Sequence, residues 1–124
     1  MKKMALALVA ALSLGVLAGC GSSGTAGGTG PTLEVVAGEN NAMAYNPTTL
    51  KAKVGDTVKV HLVNKDTTTA HTFVMTDFNA QTKQVQPGKD ETISFKVDKA
   101  GDFKYHCNIP GHEAIMTGTL TVTP

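Results

Sequence analysis

The stretch CNIPGHEAIM, residues 107–116, contains three side chains that bind soft metals: the Cys107 thiol, the His112 imidazole and the Met116 thioether. A Pro-Gly pair lies between the thiol and the imidazole, and it permits a bend that turns the three side chains toward one point. This donor set is typical of copper sites rather than of calcium or magnesium sites, which take oxygen ligands. A structural zinc would take four Cys or His ligands, usually in CxxC or HxxxH pairs, and neither pairing occurs in the sequence.

A trigonal copper site needs a second histidine, and the sequence contains three further candidates. His106 neighbours Cys107 on a predicted strand, so its side chain points to the opposite face. His61 lies on the polar face of its own predicted strand. His71 shares a face with two apolar residues and is expected to look inward from the end of a strand. We therefore predict His71 as the second nitrogen ligand and the other two as surface histidines.

Short runs of alternating apolar and polar residues must position these side chains. The runs are separated by Gly, Pro and Asp turns, and they predict an all-β sandwich of about seven or eight strands within one domain, residues 32–124. The clearest predicted strands are 33–36, 46–54, 57–64, 71–77, 92–97, 102–107 and 119–122. Their apolar faces predict a core that includes Leu50, Ala52, Val54, Val58, Val60, Leu62, Phe73, Met75, Ile93, Phe95, Val97, Phe103, Tyr105, Leu120 and Val122, with Met43 as a further core residue.

The N-terminus has the pattern of a targeting segment. A positive start, MKK, precedes an apolar run that ends in small residues before Cys20. The ending LAGC resembles a bacterial lipobox, which implies a lipoprotein signal peptide over residues 1–19 and a lipidated Cys20. An uncleaved membrane anchor, or an ordinary signal peptide with an incidental cysteine, are the alternatives. Residues 20–31 then form a Gly/Ser-rich tether with a typical reach of about 17–20 Å.

This interpretation places the domain outside the cytoplasm, lipid-anchored to a bacterial membrane on its periplasmic or cell-surface face. With Cys20 lipidated, Cys107 is an unpaired thiol in a compartment that oxidises thiols, so it is either buried and inert or protected by a metal.

The charge balance excludes a nucleic-acid partner. Eleven lysines, no arginine and ten acidic residues give a formal charge of +1, without any basic cluster. Removal of residues 1–19 would leave nine lysines against ten acids, a net charge near −1, so strong electrostatic steering is not expected. We expect a monomer.

Three segments together resemble the small blue-copper proteins of the cupredoxin family: PTTLKAKVGDTVKVHLVNKD, AHTFVM and AGDFKYHCNIPGHEAIMTGTLTV. The spacing C-x4-H-x3-M is similar to the azurin and auracyanin branch, and the lipobox with its tether is similar to the lipid-anchored auracyanins. Each ligand alone would more often be a core residue. The combination implies a cupredoxin-like Greek-key fold.

The resemblance implies one copper per chain, cycling between Cu(II) and Cu(I). His71, Cys107 and His112 correspond to the equatorial ligands and Met116 to the distant axial ligand. The implied function is one-electron transfer between redox protein partners, by a carrier and not an enzyme.

The same resemblance implies that the backbone amides of Thr72 and Ile109 donate to the thiolate. Many relatives have Asn where this chain has Thr72. The resemblance therefore does not settle whether residue 72 donates a hydrogen bond to the thiolate. His112 is the expected electron port, surrounded by an apolar docking patch of Ile109, Pro110 and Ile115. Loop packing is the alternative role for the patch.

Other copper proteins fit the sequence less well. Multicopper oxidases and copper nitrite reductases need further histidines in HxH or HCH patterns, whereas Asn108 follows Cys107 here. A binuclear copper domain needs two cysteines in the ligand loop. A periplasmic copper carrier is the main alternative function, although carriers tend to have Met-rich or His-rich tracts that the tether lacks.

Overall fold

Nine β-strands form two sheets in the computed structural model, which describes residues 30–124. Two single-turn 3-10 helices, Glu39–Asn41 and Thr76–Phe78, lie between strands, and residues 30–124 contain no α-helix. The predicted all-β sandwich is confirmed, and the strand count exceeds the expected seven or eight because three strands have only two residues. The strands are β1 (Thr32–Ala37), β2 (Tyr45–Asn46), β3 (Thr49–Lys53), β4 (Thr57–Asn64), β5 (Val74–Met75), β6 (Ala80–Gln81), β7 (Asp90–Lys96), β8 (Gly101–His106) and β9 (Thr117–Thr123).

Both sheets are mixed. The first has the order β2-β1-β4-β7 and the second has the order β3-β9-β8-β5-β6. The pairs β1–β4 and β3–β9 are parallel, and the others are antiparallel. Strand β4 has the bounds that its alternation predicts, and its inward residues Val58, Val60 and Leu62 are fully buried.

The strand directions define two ends of the sandwich. Strands β4 and β8 end at Asn64 and His106, next to the predicted ligands, and we call this end the ligand pole. Strand β1 begins at the opposite pole, where Thr32 pairs with Lys59 near the start of β4. At that pole the Gly55 amide donates to the Val97 carbonyl at 2.8 Å, which continues the pairing of β4 with β7.

An aromatic cluster packs beneath the ligand pole. The rings of Phe73 and Tyr105 stack with 4.8 Å between centroids, and Tyr45 meets Tyr105 edge-on at 5.2 Å. Gly118 makes room for this cluster, because a Cβ at that position would lie 2.1 Å from the Tyr105 ring. Burial raises the pKa of Tyr105 to about 12. The cluster therefore forms a close-packed floor under Cys107.

Three predictions about individual residues are wrong. Val54 is 42% exposed and Met43 is 46% exposed, although both were expected in the core. Strand β3 ends at Lys53, so Val54 lies in the turn before β4, and Met43 lies in the loop between β1 and β2. The predicted strand 71–77 is reduced to Val74–Met75, and all five residues from 71 to 75 are buried. Alternation fails there because both faces of the segment are covered.

No helix within residues 30–124 is long and apolar enough to cross a membrane. The predicted signal peptide, Cys20 and most of the tether lie outside the described residues.

Candidate metal centre

Three of the predicted ligands meet at the ligand pole. His71, Cys107 and His112 each offer one donor atom, and these atoms all lie within 4.8 Å of one another. Cys107 Sγ is 3.6 Å from His112 Nδ1, the separation expected of two donors that share a metal at about 2.0–2.3 Å. All three residues are buried. The fold thus brings a thiol and two imidazoles together at one buried point.

The surroundings of the ring nitrogen His71 Nδ1 indicate that this cluster can bind a metal. This nitrogen is a buried polar atom without a hydrogen-bond partner in the described part of the chain. Such an atom costs about 1–3 kcal/mol unless something binds it, and a metal ion at the centre of the cluster would do so. One sulfur and two nitrogen donors match the trigonal His₂Cys arrangement of blue-copper sites.

The loop before His71 is built on buried hydrogen bonds. Asn64 Nδ2 donates to the carbonyls of Thr69 and Val85 at 2.9 and 2.8 Å, and Asn64 Oδ1 accepts from the Asp66 amide at 2.9 Å. The side chains of Asn64 and Asp66 are almost fully buried. His71 itself exchanges two backbone hydrogen bonds with Val85, at 3.1 and 2.8 Å. These bonds fix where the first imidazole lies.

Asp66 lies directly behind the first imidazole. Its Oδ2 is 3.0 Å from His71 Nε2, so the ring nitrogen that faces away from the cluster meets a carboxylate. Burial lowers the pKa of His71, but Cys107 and Asp66 outweigh it and raise that pKa. Hydrogen bonds from the Thr68 amide and the His71 ring hold the pKa of Asp66 well below its usual range.

The thiol of Cys107 lies among hydrogen-bond donors. The Thr72 amide is 3.4 Å from Sγ, and the Thr72 hydroxyl is 3.6 Å from it. Burial raises the pKa of the thiol, but the His71 ring and the amides of Ile109 and Thr72 outweigh burial and lower the pKa from 9.0 to about 6. The pocket therefore favours the thiolate, the form that binds metals.

The Thr72 hydroxyl also connects the two loops. It donates to Asn108 Oδ1 at 2.8 Å and accepts from the Asn108 amide at 2.9 Å. Thr72 thus links the loop before β5 to the residue after Cys107.

The loop that carries His112 is held mainly by its own turns. The His112 amide donates to the Ile109 carbonyl at 2.9 Å, and the Met116 amide donates to the His112 carbonyl at 2.9 Å. Gly111 has φ = +87°, a left-handed conformation that the bend requires. Met116 is fully buried, and its carbonyl accepts from the Cys107 amide at 3.1 Å, which closes the loop.

Two residues of the predicted docking patch lie at the surface, and the third packs against the core. Ile115 is 57% exposed, and Pro110 is also exposed, whereas Ile109 is half-buried and packs against the core. His112 keeps 8% of its surface exposed, while His71 and Cys107 keep none. Of the three donor residues, only His112 reaches solvent.

The other histidines lie away from the donor cluster. His61 is on the outer face of β4, with Nε2 2.7 Å from Asp90 Oδ2 and Nδ1 3.6 Å from Glu34 Oε2. His106 is half-buried at the end of β8.

Asn64 and Asp66 were not predicted as functional residues from the sequence. Both lie in VNKDTTTAH, which resembles an ordinary polar turn. The signal that was available is an Asx residue followed by threonines just before a predicted ligand, a pattern in which the side chain caps its own loop.

The donor geometry agrees with comparisons of the whole chain. The model of the cupredoxin-like domain matches residues 8–122. The chain belongs to the cupredoxin family. Among curated proteins, this cupredoxin is similar to auracyanin-A of Chloroflexus aurantiacus, with 22% identity over 98% of the chain and 97% of the relative. It is also 35% identical to the copper-containing nitrite reductase of Alcaligenes xylosoxydans xylosoxydans, over 67% of the chain but only 30% of that enzyme.

Solved auracyanins share the fold of this cupredoxin. The dithionite-reduced auracyanin of Roseiflexus castenholzii superposes with a TM-score of 0.69 and 26% identity, covering 75% of the chain and 97% of that structure. Auracyanin A of Chloroflexus aurantiacus, described as a "blue" copper protein, gives a TM-score of 0.69 at 19% identity, covering 75% of the chain and 98% of that structure. The nitrite reductase match covers one cupredoxin domain of a longer enzyme, whereas the auracyanin matches cover nearly the whole relative.

Proposed function

We propose that this cupredoxin is a mononuclear type 1 copper protein that carries single electrons between redox proteins outside the cytoplasm. The observation that carries the proposal is the convergence of His71, Cys107 and His112 on one buried point, with His71 Nδ1 unpaired among the described residues. Bound copper supplies the one-electron Cu(II)/Cu(I) couple in such a site.

The ligand assignment follows from the donor atoms. Cys107 binds as a thiolate, and the imidazoles of His71 and His112 bind through Nδ1. Met116 is the proposed axial ligand, since its side chain is fully buried at the end of the same loop. A long axial thioether tunes the potential of a His₂Cys site.

The chain keeps its ligands in place through both oxidation states. His71 is fixed by the Val85 bonds and the Asp66 carboxylate, and Cys107 is fixed by its amide donors. Because these groups are buried and hydrogen-bonded, little movement accompanies a change in charge, which suits rapid electron transfer.

His112 is the proposed electron port, because it is the one donor residue that keeps exposed surface. Pro110 and Ile115 flank it in the same loop and are exposed, so an apolar partner surface fits there. Ile109 supports this patch from below rather than forming its surface.

The proposed location rests on the lipobox pattern that ends at Cys20 and on the Gly/Ser-rich tether. We expect the wild-type chain to fractionate with membranes and to incorporate labelled fatty acid when expressed in bacteria. The Cys20→Ser variant should do neither while it keeps the spectrum of the wild type. Membrane association that survives the substitution would contradict lipid anchoring.

An absorption and electron paramagnetic resonance spectrum of the copper-loaded protein tests the central proposal. We expect an intense blue band and a narrow copper hyperfine splitting. A colourless protein with an ordinary tetragonal copper spectrum would refute the type 1 assignment. Stopped-flow mixing with a reductant and then an oxidant separates an electron carrier from a copper carrier: an electron carrier cycles fully and retains its copper, whereas a copper carrier loses Cu(I) to a competing chelator.

A further inference from the structure

We infer that Asp66 is an anionic positioning residue of the centre, which orients His71 through Nε2 and lowers the reduction potential of the bound copper. This inference rests on the proposed copper function. The contact that carries it is the 3.0 Å separation of Asp66 Oδ2 from His71 Nε2, between side chains that are 3% and 0% exposed. A backbone carbonyl or a water molecule in this position would orient the ring equally well but would bring no charge.

The loop sets the orientation of the carboxylate independently of His71. Asp66 Oδ1 accepts from the amides of Thr68 and Thr69 at 2.8 and 3.0 Å, and from the Thr68 hydroxyl at 3.2 Å. These three donors occupy one oxygen, so the other oxygen is directed at the imidazole. The Asp66 amide is in turn held by Asn64 Oδ1. The loop therefore orients the carboxylate without any contribution from the His71 ring.

The backbone at Gly38 covers the contact between Asp66 and His71. Gly38 has φ = +70°, and a Cβ at this position would lie 2.5 Å from Asp66 Cβ and 2.9 Å from His71 Nε2. The backbone of the loop between β1 and β2 therefore fills the space where water would otherwise lie. Because the contact is dry, solvent does not screen the charge of Asp66.

Two consequences follow for the metal. A ring that donates its Nε2 proton to a carboxylate presents Nδ1 as a lone pair to the metal, which fixes the tautomer. In addition, the Cys107 thiolate and Asp66 together carry two negative charges, which balance Cu(II) and leave a net negative charge with Cu(I). The buried anion thus stabilises the oxidised state relative to the reduced state and lowers the potential.

The Asp66→Asn variant of the copper-loaded protein tests this inference, with Asp90→Asn as the matched control. Asp90 also contacts a histidine, His61, at 2.7 Å, but on the exposed face of β4. We expect Cu(II) affinity to fall about 10–100-fold in Asp66→Asn, with a smaller loss of Cu(I) affinity. Each tenfold difference between the two losses raises the potential by about 59 mV for one electron. The control should leave both affinities unchanged.

Redox titration of the blue band distinguishes the outcomes. If Asp66→Asn stays blue with an unchanged or lower potential, or if both variants shift equally, the inference is wrong while the copper function stands. If the wild type itself is not blue, the proposed function fails instead.

A measurement on the wild type covers the case in which Asp66→Asn does not fold. In ¹⁵N-histidine-labelled, Cu(I)-loaded protein, His71 should keep a slowly exchanging proton on Nε2. His61, whose side chain is 30% exposed, provides the reference ring. A His71 ring proton that exchanges as fast as that of His61, or an unprotonated Nε2, would overturn the inference.

Discussion

His71 and His112 lie 5.2 Å apart, ring centroid to ring centroid, but the segments that hold them are built differently. The upstream loop, residues 64–72, is tied to the sandwich by buried side chains and by the paired backbone bonds between His71 and Val85. The downstream loop, residues 107–116, relies on short-range turn bonds, and it exposes apolar side chains such as Ile115. The first histidine is thus held within the scaffold, whereas the second lies in a loop whose apolar side chains reach the surface.

This difference separates two tasks. The upstream loop fixes the coordination geometry, because the side chains of Asn64 and Asp66 are buried and hydrogen-bonded. The downstream loop presents the one partly exposed donor, His112, to a partner. Changes in the first loop should therefore alter stability and the metal, and changes to the exposed apolar side chains of the second loop should alter mainly partner exchange.

Cys107 belongs to both loops through its contacts, and its replacement should have the largest effect. Cys107→Ser removes the thiolate but fits the same space, so we expect complete loss of the blue band with a folded domain. Absorption and circular dichroism spectra check both points. Cys20→Ser is the control and should keep the colour. A blue Cys107→Ser variant would show that another residue supplies the sulfur ligand.

Asn64→Ala should cause the next largest effect, on the upstream loop. It leaves the Thr69 carbonyl and the Asp66 amide without their partners and removes one of the two hydrogen bonds to the Val85 carbonyl, so we expect the free energy of unfolding to fall by about 3 kcal/mol. Gln84→Ala, at an exposed amide side chain, should change it by less than about 0.5 kcal/mol. Urea denaturation of the apo-protein measures both. If both variants lose equally little stability, the hydrogen bonds of Asn64 do not hold the upstream loop rigidly.

Gly111→Ala tests the downstream loop at its bend. The left-handed φ should cost about 1–2 kcal/mol of stability, although an added Cβ meets no described atom within 4 Å. Gly55→Ala is matched, with φ = +93° and the same open surroundings at the opposite pole. Both variants should lose similar stability in urea denaturation. Only Gly111→Ala should shift the blue band. A shift in both variants would show that the effect is not specific to the downstream loop.

Ile115→Lys should have the smallest effect on the protein itself. We expect a change of less than about 0.5 kcal/mol in stability and an unchanged spectrum, since the side chain is 57% exposed. Electron exchange with the partner should slow about tenfold, because burying the new charge in an apolar contact costs about 1.4 kcal/mol or more. Val54→Lys, at a 42% exposed residue of the opposite pole, is the control. Equal rates in the two variants would place the docking surface elsewhere.

The sequence predicted those parts of the molecule that depend on local pattern. The alternation in TVKVHLVN defines β4 to the residue, because one face of that strand is uniformly buried. The donor residues were identifiable because soft ligands are rare and their spacing in CNIPGHEAIM is compact. Val54 was misplaced because alternation continues in the sequence beyond the point where the strand ends, and Met43 was misplaced because it lies in a loop that leaves its apolar side chain outside the core.

Asp66 could not be identified in the same way. Its role depends on the threonine turn that orients its carboxylate, on the ring of His71 in the same loop and on the backbone at Gly38, which is distant in the sequence. Only the folded sandwich brings Gly38 to this loop, and the loop itself has no distinctive pattern.

The direction of β1 has a consequence for encounters at a membrane. The strand begins at the pole opposite His112, and the eight residues of β4 make the sandwich about 26 Å long in this direction. A tether that ends at Thr32 and reaches about 17–20 Å from an anchored Cys20 would hold the port at the outer end of an arm of roughly 45 Å. If Cys20 is anchored as proposed, such an arm would extend away from its own lipid surface and would favour partners that project well above the bilayer or diffuse beside it.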